Sequence, residues 1–525
     1  MDPLTTVTTR VTPQHTAADE RQVRNSAGGY GFPLTDDVRV ARFLTLGTDG
    51  GTYYASAADL TADNAQVVLQ AARERGEWLV AQAVAVSTAG RAPRQNPAIF
   101  ALAAAAALAD DDGRRAALDA LGAVCRTGAH LYLFARYVEQ FRGWGRGLRR
   151  AVGRWYTERP VGDVAYQAVK YRQREGWSHR DLLRLAHPAT AEPARRDLFA
   201  WIVSGALGAE LPPLVEAFVA AQEATTVAAW VRLIGEQPLS WEMLPDAALV
   251  EPAVWAALVD KGLPQTALMR QLPRLSRLGL LGDRARRTAV AARLADPTRL
   301  AKARVHPVNV LVAQRTYASG AGARGRATWD PVPQIVDALD AAFYAAFGAV
   351  EPAGKRTLLA LDVSGSMSWS PTSGLPLTPR DASAALSLVT MATEPITEVV
   401  GFTTGLTPLA ISPRQRLDDV IRTVSNLPFG GTDCAQPMLW AQAQRQEFDT
   451  FVVYTDNETW AGNIHPHQAL VQYRQRTGIA ARLVVVGMTS TGFSIADPAD
   501  AGMLDVAGFD AAVPQLVADF SAGRV

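Results

Sequence analysis

The sequence predicts two parts, a domain of stacked helices followed by an open α/β domain. A chain of 525 residues exceeds what one hydrophobic core usually organises. From about residue 55 to 345, amphipathic stretches with apolar residues at helical spacing follow one another, broken by Gly, Pro and Asp. After Pro352, short apolar runs alternate with helical stretches, which is typical of a mostly parallel sheet. We therefore place a helical domain at residues 1–350 and an α/β domain at residues 351–525.

The helical part shows a succession of helices without a strict repeat motif. Typical stretches are LTADNAQVVLQAARERG, AEPARRDLFAWIVSGALG, PPLVEAFVAAQEA and VPQIVDALDAAFYAAFG. Each has a terminator, as expected of stacked helix pairs, so a HEAT-like solenoid is predicted from helix succession alone. Residues 1 to about 34 are polar and end in the turn-rich stretch NSAGGYGFP, which indicates an ordered but irregular N-terminal segment.

The α/β part contains four strand-like runs, TLLALDVSGS, EVVGFTTG, TFVVYTD and ARLVVVGMTS. The helical stretches between them are LTPRDASAALSLVTMA, PRQRLDDVIRTVSN, CAQPMLWAQAQRQ and HPHQALVQYRQRTG. In such sheets, binding residues gather on the loops at the carboxyl ends of the strands.

Composition predicts a soluble, unexported, cytoplasmic protein. The longest apolar run, AIFALAAAAALA, is too short to span a bilayer, and the first residues do not resemble a signal peptide. Cys125 and Cys434 are far apart in sequence, which argues against a disulfide framework and against a zinc site.

The charge is unevenly distributed, although the formal net charge is only +1. Residues 121–200 contain 15 Lys/Arg against 7 Asp/Glu, a net charge of +8, whereas residues 356–525 contain 10 against 16, a net charge of −6. A basic domain joined to an acidic one can carry a polyanion site behind a neutral isoelectric point.

The stretch Asp362-Val363-Ser364-Gly365-Ser366, directly after the run TLLAL, predicts a metal-ion-dependent adhesion site. It supplies one carboxylate and two hydroxyls on one turn, and such hard oxygen ligands suit Mg²⁺ or Mn²⁺ better than zinc. Thr432 and Asp456 stand on two further loops from which the same cation could be reached. The alternative is that Asp362 and Ser364 only cap the following helix, which does not explain the other two loops.

The stretch FRGWGRGLRRAVGRWYTERP and its continuation AYQAVKYRQREGWSHRDLLRLAHP combine basic and aromatic residues and predict RNA contacts. On a helix, Lys170 and Arg174 would lie at i and i+4 and could face one phosphate backbone. Tyr171, Trp177 and the nearby histidines could stack on unpaired bases. The alternative is a solvated helix face with the aromatic residues in the core.

Several motifs resemble the TROVE module of the Ro autoantigen family, and the resemblance runs collinearly from about Asn25 to the C-terminus. In the helical part they are NSAGGY, GGTYY, VCRTGAHL, KYRQREGWSHRDLLRLAHP, LSWEMLP and ARVHPVNVLVA. In the α/β part they are DVSGSM, FGGTDCAQPMLWAQ, YTDNETWAG, HPHQAL and GMTSTGFSIADP, which resemble the C-terminal domain of the same family.

This resemblance, to a bacterial Ro protein, implies a HEAT-repeat ring closed by a von Willebrand factor A-type (Rossmann-like) domain. It implies binding of Y RNA, and of misfolded or precursor structured RNA through a single-stranded 3′ end, in RNA quality control, maturation or decay. A 3′-to-5′ exoribonuclease is the implied protein partner. We expect a monomeric, non-membrane, non-enzymatic scaffold that holds one divalent cation, with Mg²⁺ as the first choice and Mn²⁺ or Ca²⁺ as alternatives.

The resemblance also selects site residues. The RNA contacts carried over to this sequence are Lys170, Arg174 and His187, followed by Arg172, His179 and Arg180. The predicted cation-site residues are Asp362, Ser364, Ser366, Thr432 and Asp456. A second basic group, proposed for a separate single-strand site, contains Arg304, His306, Arg324 and Arg326.

The sequence departs from animal members of the family at two places. The stretch FRGWGRG is shorter, and Arg315 stands where those members tend to carry an acidic residue. Two other functions stay open. One is a cation-dependent protein-binding scaffold without RNA. The other is a hydrolase, which would need a general base or a second metal near the cation.

Overall fold

The structure, a computed structural model, describes residues 11–47, 57–322, 326–348, 350–369, 377–428, 430–489, 491–508 and 510–525. It contains a helical domain and an α/β domain, so the predicted fold class is confirmed. None of the described helices is long and apolar enough to cross a membrane. Cys125 and Cys434 are both buried, and they are not joined in a disulfide.

The helical domain is built from helices of mostly three to four turns. They are α1 (Asp36–Leu46), α2 (Ala57–Glu74), α3 (Gly76–Ala89), α4 (Asn96–Leu108), α5 (Asp111–Asp119), α6 (Leu121–Val124), α7 (Gly128–Phe141), α8 (Arg146–Thr157), α9 (Val161–Lys170), α10 (His179–Ala186), α11 (Pro193–Ser204), α12 (Pro213–Glu223), α13 (Val227–Glu236), α14 (Asp246–Leu249), α15 (Pro252–Lys261), α16 (Gln265–Arg277), α17 (Arg284–Leu294), α18 (Pro297–Lys302), α19 (Pro307–Ala318) and α20 (Pro333–Ala345).

The helix α4 shows why the domain packs as stacked layers. Its sequence, NPAIFALAAAAAL, is mostly alanine, and nearly every residue is buried. The small side chains let α2, α3, α5 and α7 approach it from several directions. A short 3-10 helix at Trp241–Met243 and a two-stranded hairpin interrupt the helices. The hairpin strands are β3 (Gln173–Arg174) and β4 (Trp177–Ser178).

The α/β domain alternates strands and helices. The strands are β5 (Thr357–Asp362), β6 (Thr397–Phe402), β7 (Leu406–Pro408), β8 (Thr450–Thr455), β9 (Arg482–Gly487), β10 (Phe493–Ser494) and β11 (Met503–Ala507). The helices are α21 (Ser366–Trp369), α22 (Pro379–Thr393), α23 (Leu417–Ser425), α24 (Gln436–Gln444), α25 (Pro466–Thr477) and α26 (Val513–Ala522).

The central sheet has the strand order β11-β9-β8-β5-β6-β7 and is parallel except for β7. All four predicted strands are present, whereas the edge strands β7 and β11 were not predicted. Alternate residues of β5 face opposite sides, so Leu359 and Leu361 pack in one core and Leu358 and Ala360 in another. The first of these cores continues into the helical domain.

The N-terminal segment, residues 11–34, packs on the α/β domain, although it was assigned to the helical domain. Its strands β1 (Val23–Arg24) and β2 (Tyr30–Pro33) pair antiparallel, and β2 also pairs with β10. Gly29 lies so close to the backbone of Thr459 that a Cβ atom would clash. Residues 1–10 of the predicted segment lie outside the described residues.

The early helices of the domain meet both its later helices and the α/β domain at Arg91. The backbone carbonyl of Arg91 is bonded by His306 Nε2 at 2.9 Å and by the amide of Ala511 at 3.1 Å. Its guanidinium pairs with Asp510. Arg315 on α19, whose role was open in the sequence, pairs with Asp381 at the start of α22. These contacts join the two ends of the helical region through the α/β domain.

Candidate cation site and basic surface

The loop after β5 brings one carboxylate and two hydroxyls together. Asp362 ends the strand and is fully buried, and its Oδ1 accepts a hydrogen bond from the backbone amide of Ser364 at 2.9 Å. The hydroxyls of Ser364 and Ser366 lie 3.0 Å apart. Thr455, at the end of the neighbouring strand β8, donates its hydroxyl proton to Asp362 Oδ2 at 2.7 Å. Parallel strands that end at the same edge therefore hold the carboxylate in one orientation.

Thr432 and Asp456 complete the set, and each has one side-chain oxygen to which no described residue hydrogen-bonds. Both residues are fully buried. Thr432 Oγ1 and Asp456 Oδ2 have no hydrogen-bond partner within the part of the chain that the structure describes. Buried oxygens without a partner cost free energy. The two carboxylates and three hydroxyls of this set, which include the two unpartnered oxygens, fit a hard divalent cation.

The raised pKa values of the carboxyl groups at the site also fit a bound cation. Burial, followed by the neighbouring carboxylates of Asp362 and Glu458, raises the pKa of Asp456 to about 8. Burial also raises the pKa of Asp362 and raises that of Glu458 to about 7. A divalent cation would favour the ionised form of these groups.

Arg380 is a neighbour of the site that the sequence did not single out. Its side chain is 1% exposed and donates to Ser368 Oγ at 3.3 Å and to the carbonyl of Leu427 at 3.0 Å. Its charge lowers the pKa of Asp362, opposing the effect of burial. Local sequence carries no signal for this residue, because its position depends on how α22 packs against the loop. Among the described residues, no group of three or more His, Cys, Asp or Glu could hold a metal, so this site depends on its hydroxyls.

The N-terminal segment covers the loops that carry Thr432 and Asp456. Gln14 Nε2 donates to Asp433 Oδ1 at 2.7 Å, and the amide of Ala27 donates to Glu458 Oε2 at 3.0 Å. Asn25 Nδ2 donates to the carbonyl of Thr459 at 2.7 Å. Residues at the two ends of the chain thus form one hydrogen-bonded layer beside the candidate cation site.

The predicted helical relation between Lys170 and Arg174 is wrong. Helix α9 ends at Lys170, and Arg174 lies on strand β3 of the hairpin. Gly176, at φ 81°, and Glu175, at φ 55°, turn the chain between β3 and β4, so a helix cannot continue. Arg172 and Arg174 are exposed on this hairpin.

Lys170 and His179 are held inside the helical domain. The Lys170 side chain is 12% exposed, and its ammonium lies 3.7 Å from Glu242 and near the rings of Tyr166 and Tyr171. His179 is 2% exposed, its Nδ1 lies 2.7 Å from the Tyr156 hydroxyl, and burial lowers its pKa to about 4. We therefore remove His179 from the proposed contact set, because its ring faces the core.

Arg180 and His187 are exposed at the two ends of α10. His187 ends the helix in the left-handed conformation, at φ 46°. Helix α10 packs against α8, and a Cβ atom added at Gly153 of α8 would lie in van der Waals contact with Pro188, just after the end of α10. The exposed His187, which precedes Pro188, therefore lies near Gly153 of α8.

Four arginines near this point were not selected as contacts from the sequence. They are exposed and form no ion pair with any described residue: Arg142, Arg146, Arg149 and Arg150. Trp144, between the first two, packs against Trp177 of the hairpin with ring centroids 5.3 Å apart. The hairpin, the loop before α8, α8 and the end of α10 thus form one surface, which we call the basic surface. Its sequence signal was the stretch FRGWGRGLRR.

The second basic group is not assembled as expected. His306 is buried and caps α19 through Nδ1, which accepts a hydrogen bond from the amide of Val308. Arg304 and Arg326 are exposed, and Arg324 lies outside the described residues.

Known protein families and relatives match this chain over almost its whole length. Residues 23–207 and 202–316 match the TROVE domain family, and residues 356–521 match the Ro60 vWA domain family. The chain is 45% identical over 520 residues to the RNA-binding protein RO60 of Deinococcus radiodurans, covering 98% of each chain. It is 36% identical over 596 residues to the RNA-binding protein RO60 of Caenorhabditis elegans, covering 98% of this chain and 92% of that one. The crystal structure of the Deinococcus radiodurans RO (RSR) protein superposes with a TM-score of 0.72 at 44% identity, covering 94% of this chain and 100% of that chain. The chain therefore belongs to the Ro family, in which a TROVE domain is followed by a Ro60 vWA domain.

Proposed function

We propose that this protein binds structured RNA on the basic surface. The observation that carries the proposal is the group of exposed arginines without carboxylate partners among the described residues: Arg142, Arg146, Arg149 and Arg150. Unpaired guanidiniums are available to phosphates, and phosphate contacts supply most of the affinity of such complexes. Arg172, Arg174, Arg180 and His187 extend the same surface. Both relatives compared above are RNA-binding proteins by name.

We further propose the specific partners that family membership suggests. They are Y RNA, and misfolded or precursor RNA with a single-stranded 3′ end. The protein would act as a monomeric cytoplasmic scaffold in RNA quality control, maturation or decay, together with a 3′-to-5′ exoribonuclease. Lys170 is largely covered and its ammonium faces Glu242, so we propose no direct contact of Lys170 with RNA.

We also propose that the site at Asp362, Ser364, Ser366, Thr432 and Asp456 holds one Mg²⁺. The buried, unpartnered oxygens of Thr432 and Asp456 support this. When bound, the cation would neutralise the two buried carboxylates and could offer a ligand position to water or to a partner's carboxylate. We propose no catalysis, because His465, one of the two histidines near Asp456 in sequence, is buried and bonded to the N-terminal segment.

The test is RNA affinity as a function of salt concentration. Replacing two arginines of the basic surface (Arg149→Ala/Arg150→Ala) should weaken binding of a Y-like stem. The plot of log affinity against log salt should become shallower by roughly 0.7–0.9 per lost phosphate contact. The matched control is Arg414→Ala/Arg476→Ala, which removes two exposed arginines from the α/β domain. Equal slopes for the two double variants would show that RNA does not use the basic surface. A purified protein that carries no RNA and binds none would favour the protein-binding scaffold.

A further inference from the structure

Gln14 of the N-terminal segment bridges the two loops that carry Thr432 and Asp456. Its side chain is completely buried, although it lies 419 positions from Asp433 along the chain. Its Nε2 donates to Asp433 Oδ1 at 2.7 Å, directly after Thr432. Its Oε1 accepts a hydrogen bond from the Thr459 hydroxyl at 2.6 Å, three residues after Asp456. One side chain therefore holds a residue of each loop.

The contact with Thr459 extends to the backbone beside Thr432. The Thr459 hydroxyl has one proton, and its distance to Gln14 Oε1, 2.6 Å, is shorter than its distance to the Thr432 carbonyl, 3.4 Å. Because the proton is donated to Gln14, the hydroxyl oxygen is left to accept a hydrogen bond from the backbone amide of Cys434 at 3.1 Å. Gln14 thus orients the hydroxyl that ties one loop to the other.

The position of Gln14 is closely fitted. Its backbone amide donates to the carbonyl of Gly462 at 2.9 Å, and a Cβ atom at Gly462 would overlap both Gln14 Nε2 and Asp433 Oδ1. The second Nε2 proton is donated to the carbonyl of Ile464 at 2.8 Å. Both polar atoms of the buried amide are therefore hydrogen-bonded, and a satisfied buried network of this kind holds its members in one arrangement.

We propose that Gln14 is a positioning residue of the cation site, which holds the two loops together so that Thr432 and Asp456 can both reach one divalent cation. This inference rests on the cation site proposed above. Thr432 Oγ1 and Asp456 Oδ2 have no hydrogen-bond partner among the described residues, so their positions depend on the backbone of their loops. Residues that orient metal ligands without touching the metal typically contribute roughly 10–100-fold to its affinity.

Isothermal titration calorimetry of the full-length protein with Mg²⁺ tests the proposal. Gln14→Met keeps the length of the side chain and removes both polar groups, so it should weaken Mg²⁺ binding by about ten-fold or more. Gln22→Met is the matched control. Gln22 is also buried in the N-terminal segment, but its side chain contacts the amides of Ala18 and Asp19 and the ring of His465 instead. This control should leave the Mg²⁺ affinity nearly unchanged.

Thr459 tests the same connection from the α/β domain, where a loosened N-terminal segment cannot explain the result. Thr459→Val removes the buried hydroxyl at nearly constant shape and should weaken Mg²⁺ binding as Gln14→Met does. Thr459→Ser keeps the hydroxyl and should retain the affinity of the wild-type protein. Because Gln14 and Thr459 belong to one network, the double variant Gln14→Met/Thr459→Val should bind only slightly more weakly than either single variant.

Amide hydrogen exchange separates positioning from a purely structural role. Coupling between two sites is reciprocal, so Mg²⁺ should slow exchange of the N-terminal segment in the wild-type protein. The informative amides are those of Gln14, bonded to the Gly462 carbonyl, and Ala27, bonded to Glu458. In Gln14→Met, Mg²⁺ should have little effect on them. A purely structural role would lower stability with and without Mg²⁺ alike.

Two results would overturn the proposal while leaving the cation site intact. One is Mg²⁺ binding by Gln14→Met and Thr459→Val as tight as that of the wild-type protein, with Thr432→Val still unable to bind. The other is an equal loss of affinity in Gln14→Met and Gln22→Met. A wild-type protein that binds no Mg²⁺ would overturn both the cation site and the role of Gln14.

Discussion

Thr432 buries a hydroxyl that no described residue binds, and this makes it a sensitive probe of the cation site. Thr432→Val keeps the shape and removes the oxygen, so the variant should fold but lose Mg²⁺ binding. In the wild-type protein, Mg²⁺ at 100 times its Kd should add about 2.7 kcal/mol to the free energy of unfolding. Thermal melts with Mg²⁺ and with EDTA measure the difference.

Thr450→Val is the matched control for this prediction. Thr450 is equally buried, and its hydroxyl is also unpartnered among the described residues. It lies at the start of β8, whereas the candidate cation site lies at the end of that strand. The control variant should keep the full Mg²⁺ effect. If Thr432→Val kept it too, Thr432 would not be a ligand.

His179 makes stability depend on pH. Burial lowers its pKa from 6.5 to about 4. Between these values the unfolded chain binds a proton that the folded protein does not. The contribution is therefore complete above pH 6.5 and is lost as the pH falls towards 4, by on the order of 3 kcal/mol.

A double variant isolates this effect. His179→Phe/Tyr156→Phe replaces both partners of one buried hydrogen bond by apolar rings, so its stability should fall less between pH 6.5 and 4. His130 and His467, whose pKa values are also about 4, titrate in both proteins. Urea denaturation at several pH values gives the two curves, and parallel curves would exclude this role of His179.

At the scale of elements, the hairpin β3–β4 depends on an aromatic pair. Trp177 packs on Trp144, and such pairs contribute about 0.5–1.5 kcal/mol beyond the area they bury. Trp177→Ala should loosen the hairpin, raise amide hydrogen exchange at residues 173–178, and weaken RNA binding without removing a charge. The slope of log affinity against log salt concentration should change little.

Trp440→Ala is a suitable comparison for the hairpin variant. Trp440 is also half-buried and stacks on Phe448, but it lies in the α/β domain. The Trp440→Ala variant should lose a similar amount of folding stability through lost packing, but it should retain RNA affinity. Equal RNA affinity in both variants would mean that the hairpin does not contact RNA.

At the scale of the whole molecule, a buried ion pair joins the first helix to the edge of the sheet. Arg42 of α1 is 1% exposed and makes two 2.7 Å contacts with Asp505 of β11, which is 11% exposed. Asp505→Asn leaves the arginine charge buried without its partner and should cost about 3–5 kcal/mol. Asp37→Asn, which breaks the exposed pair with Arg75, should cost less than about 1 kcal/mol. Equilibrium denaturation of both variants checks this, and equal losses would contradict it.

The candidate cation site was predictable because each part of it follows a strand or a turn that local sequence specifies. Asp362 and Asp456 come directly after apolar runs that could only be buried parallel strands, and such strands end at one edge. Arg380 was not predictable, because it reaches the site through the packing of α22. The sequence showed that this region is rich in basic residues, but it did not show which of them share the exposed surface. The reason is that Gly176 and Glu175 form a hairpin where a helix was predicted.

Sequence alone determined the two-part architecture, the four inner strands and the loop of Asp362, because hydrophobic periodicity and turn residues act over short distances. It also placed the excess of positive charge between residues 121 and 200. Tertiary structure decided which side chains are exposed: His179 faces the core and Arg149 faces solvent, although both lie in the same basic stretch. It also decided that residues 11–34 pack beside the cation site and that Arg91 joins three parts of the chain. These contacts link residues hundreds of positions apart, and only the packing of the complete chain specifies such pairs.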